Sequence, residues 1–191
     1  EKGKKVLIMG LGLHGGGVGT ALFFSAQEAD ITITDLRTEQ QLRPSLDALS
    51  HLTHIHYVLG RHRKSDFIHA DLIVKNPGVL PSSPYLFLAR KKNIPITSDV
   101  GIFLRVSPAL IIGITGTRGK STTAYLIARF LEAMFHSRKK DKARKVFLGG
   151  NIRTSVLDFI DKATKNDVVV LELSSFQLDD IATDSWNISI A

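Results

Sequence analysis

Gly113-Ile114-Thr115-Gly116-Thr117-Arg118-Gly119-Lys120-Ser121-Thr122-Thr123 decides how this chain is read. The apolar run before it, 109–114, has the composition of a buried strand, and 122–135 after it has helical apolar spacing. Strand, glycine turn, Lys-Ser and helix is the layout of a phosphate-binding loop. Glycines let consecutive backbone N–H groups point at one anion, and the following helix turns its positive end to the same place. The candidate loop residues are Gly116, Thr117, Arg118, Gly119, Lys120, Ser121, Thr122 and Thr123. Lys120 has the reach to meet the terminal phosphates of a nucleotide, and the Ser121 hydroxyl can ligate Mg²⁺. The strict spacing G-x-x-x-x-G-K-[ST] fails at one position, because Ile114 stands where the first glycine belongs. An ordinary glycine-rich turn is the plainer alternative, but it gives no reason for Lys120 and Ser121.

A second strong feature lies downstream. Val168-Val169-Val170-Leu171-Glu172 is an apolar run of the kind a parallel sheet buries on both faces, and it ends in an acid. Parallel strands share one carboxyl edge, so Glu172 is expected beside the phosphate loop, able to hold Mg²⁺ directly or through water. A simple strand-end cap is the plainer reading of Glu172. Ser174, Ser175 and Gln177 add polar groups at the same edge. Between loop and acid, 145–148 reads as a strand ending in Gly149-Gly150-Asn151, and 154–163 has helical spacing. The last residues, 188–191, look like the start of another strand.

The first half carries a different glycine turn. A short apolar strand, 6–9, runs into Gly10-Leu11-Gly12-Leu13-His14-Gly15, followed by a helix over about 17–26 and a strand over 31–34 that ends at Asp35. This is a βαβ unit with the G-x-G-x-x-G fingerprint and an acid where dinucleotide-binding folds place one. The acid can read a ribose hydroxyl or another nucleotide group. A helix is predicted over 42–49, strands over 55–59 and 71–75, the turn Asn76-Pro77-Gly78, a helix over 84–92 opened by Pro84, and a strand over 94–97. Asp99 is placed to cap a helix over 100–105. Alternating strands and helices predict open parallel sheets, with a domain boundary at 105–108. His54 and His56 alternate along a strand and share a face near His51, but no carboxylate or thiol completes a metal-ligand set, so a solvated face is expected.

Composition bounds the rest. The chain has 191 residues, 43% of them hydrophobic, which suits one large domain or two small ones with real cores. No apolar run approaches the roughly 18 residues of a membrane helix. Lys2-Gly3-Lys4-Lys5 before 6–9 imitates a signal peptide, but Gly10 and Gly12 interrupt the apolar part and a buried strand is the better reading. The absence of cysteine excludes disulfide and thiolate chemistry and fits a reducing compartment. Net charge is +7, yet Arg138, Lys139, Lys140, Lys142, Arg144 and Lys145, less Asp141, supply five of those charges in one run. No aromatic residues interleave with it, so a solvated loop is expected there rather than a nucleic-acid interface.

Together these residues resemble the Mur ligase family, through nearly the whole chain. Gly116-Thr117-Arg118-Gly119-Lys120-Ser121-Thr122 is similar to the family's own loop, whose spacing accounts for Ile114. Gly149-Gly150-Asn151-Ile152 and Glu172-Leu173-Ser174-Ser175-Phe176-Gln177-Leu178 match as well, the latter pointing to the D-glutamate-adding branch. Gly12, Leu13, His14, Gly15, Asp35, Leu36, Arg37, Asn76, Pro77 and Gly78 resemble its uridine-diphosphate pocket. The resemblance implies a Rossmann-like UDP-substrate domain over 1–107 and the first part of a P-loop ATPase domain over 108–191. It implies a cytoplasmic, monomeric, ADP-forming amide ligase of peptidoglycan precursor synthesis, using ATP and Mg²⁺ and binding neither nucleic acid nor membrane. In such enzymes ATP phosphorylates the carboxylate of UDP-N-acetylmuramoyl-L-alanine, and the D-glutamate amine attacks the acyl phosphate. Lys120 and Glu172 are then the catalytic residues, Ser121 and Glu172 the metal ligands, and Asn151 and Ser174 orient the muramoyl-alanyl end.

There are departures from the pattern. Arg118 stands where Asn is usual, Arg153 replaces a Gly, and 137–145 looks like an insertion. The family has three domains and this chain ends partway through the second, so it is expected to bind a UDP-muramoyl ligand without forming an amide. Three other readings compete. An NAD(P)-dependent oxidoreductase explains the first glycine turn but not the second. A folylpolyglutamate synthase relative explains the second but not the first domain. A non-catalytic nucleotide-binding module explains both turns without chemistry.

Overall fold

The computed structural model describes residues 1–138, 143–151, 155–181 and 188–190, the last three by their backbone. The chain divides into two compact units, Glu1–Asp99 and Val100–Ala191, each with its own parallel sheet.

The first unit runs β1 (Lys5–Met9), α1 (Gly16–Ala26), β2 (Asp30–Asp35), α2 (Glu39–Ala48), β3 (Ile55–Leu59), α3 (Lys64–His69), β4 (Leu72–Lys75), α4 (Pro84–Lys91) and β5 (Ile96–Thr97). The strands are parallel in the order β3-β2-β1-β4-β5. The order reverses between β1 and β4, and the loops leaving those two strands flank the crevice where such sheets take ligands. Val6, Leu7, Ile8 and Met9 are each at most 2% exposed, because a central strand under helices on both faces has no solvated side. Thr38 starts α2 through a capping box with Gln41, a Thr-x-x-Gln signal that places the helix start ahead of its apolar residues.

The second unit takes most of α5 (Asp99–Val106), then β6 (Leu110–Ile114), α6 (Lys120–Ser137), β7 (Val146–Gly150), a 3-10 turn (Val156–Phe159), β8 (Val168–Glu172), α7 (Ser175–Ile181) and β9 (Ile188–Ile190). The order is β7-β8-β6-β9, again parallel. Val169, Val170 and Leu171 are fully buried in the inner strand β8. Phe159 packs edge-on to Phe103 at 5.4 Å and stacks on Phe147 at 5.2 Å.

Two expectations fail. The helix expected over 154–163 is only the 3-10 turn Val156–Phe159; residue 154 lies outside the described residues. Val156, Leu157, Phe159, Ile160 and Ala163 are all buried. The apolar spacing therefore reports which residues enter the core, while Asp158, Asp161 and Lys162 stay exposed, and the backbone between them closes only a single 3-10 turn. Conversely, α3 was not anticipated. Six residues with only Phe67 buried carry too little periodicity to be read. Asp99 is the first residue of α5 rather than a residue ahead of it. Ile152, Arg153 and 139–142 of the basic run lie outside the described residues.

Candidate functional site

In the first unit the loop leaving β1 is held from three sides. The Gly12 amide donates to Asp35 Oδ2 at 3.2 Å, and the Ser45 hydroxyl donates to the Gly12 carbonyl at 2.7 Å. On the third side, a Cβ on Gly10 would come within 2.9 Å of Asn76 Cβ. Asp35 is 4% exposed, and its Oδ1 accepts the Arg37 amide at 2.9 Å. Both its oxygens are thus engaged with backbone N–H groups, which makes it the brace of the turn. The Arg37 guanidinium sits 3.9 Å from the same carboxylate with its side chain half exposed. Asn76 organises the facing loop, its Oδ1 accepting the Gly78 amide at 3.1 Å.

The turn delivers the chain to α1 through Gly15, a left-handed N-cap with no side-chain cap and no acid in the first turn. No side chain caps the first N–H groups of the helix, an arrangement that favours an anion. The close packing a third fingerprint glycine is meant to allow falls at Gly17 instead. A Cβ there would collide with the Leu11 carbonyl oxygen. Leu13, 48% exposed, and Leu36, 66% exposed, follow the adjacent strands β1 and β2 and leave apolar surface at the same edge. His14 and Gly78 are exposed there, and Pro77 is half-buried.

In the second unit the loop after β6 is laid open. Gly116, Thr117, Arg118 and Gly119 are exposed, as are Ser121, Thr122 and Thr123. Gly119 is again a left-handed N-cap without a side-chain cap, and the first turn of α6 holds no acid. The Lys120 ammonium donates to the Gly116 carbonyl at 2.9 Å, which folds it back over its own loop.

Glu172 stands in register with Ile114, the last strand residue before the loop. Only 3% of it is exposed. Asn151 meets it twice, donating its amide to the Glu172 carbonyl at 2.9 Å and its Nδ2 to Oε1 at 3.5 Å. Glu172 Oε2 is buried and accepts no hydrogen bond among the described residues. A buried carboxylate oxygen without a donor is costly unless a cation neutralises it. That orphan atom, one strand over from an open Lys-Ser loop, fits a divalent cation. Among the described residues no three His, Cys, Asp or Glu side chains gather as a metal site. Glu172 and Ser121 would thus leave most of a coordination shell to phosphate oxygens and water.

Ser174 and Gln177 start α7 as a reciprocal cap. The Ser174 amide donates to Gln177 Oε1 at 2.9 Å, and the Gln177 amide to Ser174 Oγ at 3.2 Å. Sequence reasoning placed both at this edge but missed the pairing, although Ser-x-x-Gln is a capping-box signal. It also missed Ser45 and Gly17. His54 and His56 find separate partners: His54 Nε2 is 3.1 Å from Ser25 Oγ, and His56 is 4.0 Å from Asp30.

Two parallel α/β units, each feeding a glycine turn into an uncapped helix, and the second adding Lys120 and a buried acid, define a P-loop-type protein with a Rossmann-like first unit. The chain belongs to the Mur ligase family: residues 4–98 match the Mur ligase MurD-like N-terminal domain, and 114–191 match the Mur ligase middle domain. It is 44% identical over 189 residues to a protein of Roseiflexus sp. (strain RS-1), covering 99% of this chain and 39% of that protein. It is 42% identical over 190 residues to one of Borreliella burgdorferi (strain ZS7), covering 99% and 40%. It is 41% identical over 181 residues to one of Treponema pallidum (strain Nichols), covering 94% and 32%. All three relatives are named UDP-N-acetylmuramoylalanine–D-glutamate ligase. The chain therefore spans about two fifths or less of the length of these curated relatives. No helix among the described residues is long and apolar enough to cross a membrane.

Proposed function

We propose that these residues are the substrate-nucleotide and phosphate-loop portion of an ATP-dependent ligase that joins D-glutamate to UDP-N-acetylmuramoyl-L-alanine in the cytoplasm. The observation that carries the reading is the buried, unpartnered Glu172 oxygen in register beside the Lys120-Ser121 loop. The names of the relatives support the choice of substrates.

On this reading residues 1–107 take the UDP part and 108–191 the ATP part. The uncapped helix start after Gly15 receives the diphosphate, with Gly12 held in place by Asp35. Leu13 and Leu36 offer the base apolar surface, while His14, Arg37, Asn76, Pro77 and Gly78 line the crevice around it. In the second unit Gly116, Thr117, Arg118, Gly119, Thr122 and Thr123 surround the ATP phosphates. Lys120 offsets charge on the β- and γ-phosphates, releasing the Gly116 carbonyl to do so. Ser121 and Glu172 would hold Mg²⁺, which when bound neutralises phosphate charge. Asn151 and Ser174, both anchored to the β8–α7 corner, orient the muramoyl-alanyl carboxylate. That carboxylate takes the γ-phosphoryl group and releases ADP; the D-glutamate amine then displaces phosphate from the acyl phosphate to give the amide. The chain's own task is positioning and charge neutralisation.

Residues 1–191 alone are proposed to bind without completing the reaction, and to do so as a monomer. The relatives devote more than half their length to residues beyond those matched here, and enclosure of the reacting groups supplies much of the rate in such transfers. The experiment measures phosphate release with UDP-N-acetylmuramoyl-L-alanine, D-glutamate, Mg²⁺ and ATP, beside a full-length ligase. Saturable binding of the UDP substrate with no substrate-dependent phosphate release is expected. Release at the full-length rate would show that the machinery has been misplaced.

A further inference from the structure

An open cleft of about 620 Å³ lies in the second unit, lined by Ala143, Arg144, Lys145, Lys162, Thr164, Lys165, Asn166 and Asp167. It sits at the wrong edge for the chemistry above. Lys145 and Asp167 immediately precede β7 and β8, whereas Glu172 is the last residue of β8 and Asn151 follows the far end of β7. Five residues of strand separate the two edges, on the order of 16 Å at the usual rise. The proposed ATP site therefore leaves this cleft unused.

Its lining is cationic and built. Four of its side chains are Arg or Lys and one is an acid. That acid, Asp167, is 4% exposed and fully occupied: it accepts the Lys145 amide at 2.7 Å, the Thr164 amide at 2.8 Å and the Thr164 hydroxyl at 2.7 Å. It shapes the 164–167 turn through these bonds, and of the lysines only Lys145 is close enough for its charge to act on it. The Arg144 guanidinium is fixed above the Phe135 ring at 4.2 Å and donates through Nε to the Asn166 carbonyl at 2.6 Å. Lys145, Lys162 and Lys165 are exposed, and none of them is in an ion pair with a described carboxylate. Asp167 attracts Lys145 and Asp158 attracts Lys162, yet four cationic side chains line this concave space against one carboxylate, an excess that favours an entering anion. The volume lies in the range of small-molecule sites and suits a ligand with two or more phosphates.

We infer that this cleft is a second anion site, taking a soluble polyphosphate-bearing molecule at the sheet edge opposite the phosphate loop. Arg144 supplies the fixed donor, and Lys145, Lys162 and Lys165 close around the phosphates as point charges. Such a site answers to a metabolite other than the ATP being consumed, so its occupancy can report nucleotide or pyrophosphate levels.

The test uses pyrophosphate as probe and the 191-residue chain carrying Lys120→Ala, which weakens the phosphate loop. Amide shifts are followed by NMR as pyrophosphate is added, at two salt concentrations. Saturable shifts at Lys145, Thr164, Lys165 and Asn166 are expected, weakening with salt. Lys162→Gln with Lys165→Gln, both on exposed side chains, should lower the affinity about tenfold, as expected when charge-assisted contacts are lost. Shifts confined to 116–123, or no saturation at millimolar pyrophosphate, would overturn the inference. So would binding to vesicles of anionic lipid with no response to pyrophosphate, which would make the cleft a membrane contact.

Discussion

The two glycine turns of this protein solve one problem in opposite ways. Each follows a buried parallel strand, passes through a left-handed glycine and presents an uncapped helix start. The turn after β1 is clamped from around it: Asp35 and Ser45 hold Gly12, Asn76 presses on Gly10, and Gly17 seats α1 against Leu11. The turn after β6 is open, and a Cβ on Gly119 would meet nothing within 4 Å. What it has instead is side-chain charge, Lys120 above and Glu172 beside. A rigid backbone cradle suits a ligand that is held throughout a reaction. An open loop with mobile charge suits a phosphoryl group that must be gripped and transferred.

The sharpest way to break this comparison is to add one methyl group to each helix start. Gly17→Ala forces Leu11 and α1 apart, and backbone has no rotamer with which to yield. We expect a loss of about 3 kcal/mol, near the upper end for overpacking, which lowers the melting temperature by about 12–24 °C at the usual conversion for domains of this size. Gly119→Ala pays only for a left-handed alanine, about 1 kcal/mol, and about 4–8 °C. Thermal unfolding of the two variants gives the answer; equal losses would mean that the turns do not differ in the way described.

Binding separates the braces from the charges. Asp35→Ala frees the Gly12 and Arg37 amides, so UDP should bind about tenfold more weakly while Mg·ATP binding stays unchanged. Glu172→Gln should do the reverse. Calorimetric titration with each nucleotide distinguishes the outcomes, and loss of both ligands in either variant would deny the units separate roles. NAD binding tighter than UDP would favour the oxidoreductase reading of the first turn.

Acid gives the smallest effect, and it too divides the units. Burial pushes the His62 imidazole below its ordinary value, against the opposing pull of Asp35. The unfolded chain then takes up this proton first as pH falls through about 6.5, so the first unit loses stability from there downward. Burial alone would raise Asp167, but donation from the Lys145 amide and from Thr164 outweighs it and holds the carboxyl low. Its contribution to the second unit is complete above about pH 4 and is lost only as pH drops through its lowered folded value. Melting curves between pH 7.5 and 5.5 should flatten in His62→Gln and stay unchanged in Asp167→Asn, apart from a uniform offset.

Much of this was legible beforehand, for identifiable reasons. The strand Val168–Glu172 announces itself as a run buried at every residue, and the edge strand Ile55–Leu59, with His56 and Tyr57 exposed, as a short β-prone run between turn residues. Both glycine turns were visible because each lies between an apolar strand and a helix, the first as G-x-G-x-x-G and the second with Lys120-Ser121 although Ile114 breaks the strict spacing. What stayed hidden depends on partners distant in sequence. Ser45 lies 33 residues from the carbonyl it bonds. Gly17 looked like one glycine among several until Leu11 was seen behind it. Asp35 was expected to read the nucleotide, and only the fold shows its oxygens committed to backbone N–H groups. The segment 154–163 misled because its buried residues, separated by exposed Asp158, Asp161 and Lys162, follow a helical spacing although only Val156–Phe159 turns as a 3-10 helix.

The central claim is that Lys120 serves phosphoryl transfer and the first unit serves binding. Lys120→Ala in a full-length ligase carrying these residues tests it most directly, with kcat and the affinity for UDP-N-acetylmuramoyl-L-alanine measured on the same preparation. The account predicts a loss in kcat of about a hundredfold or more, the scale for removing one preorganised charge stabiliser, with substrate affinity held within about twofold. Near-normal turnover, or a fall in UDP-substrate affinity as large as the fall in kcat, would contradict it.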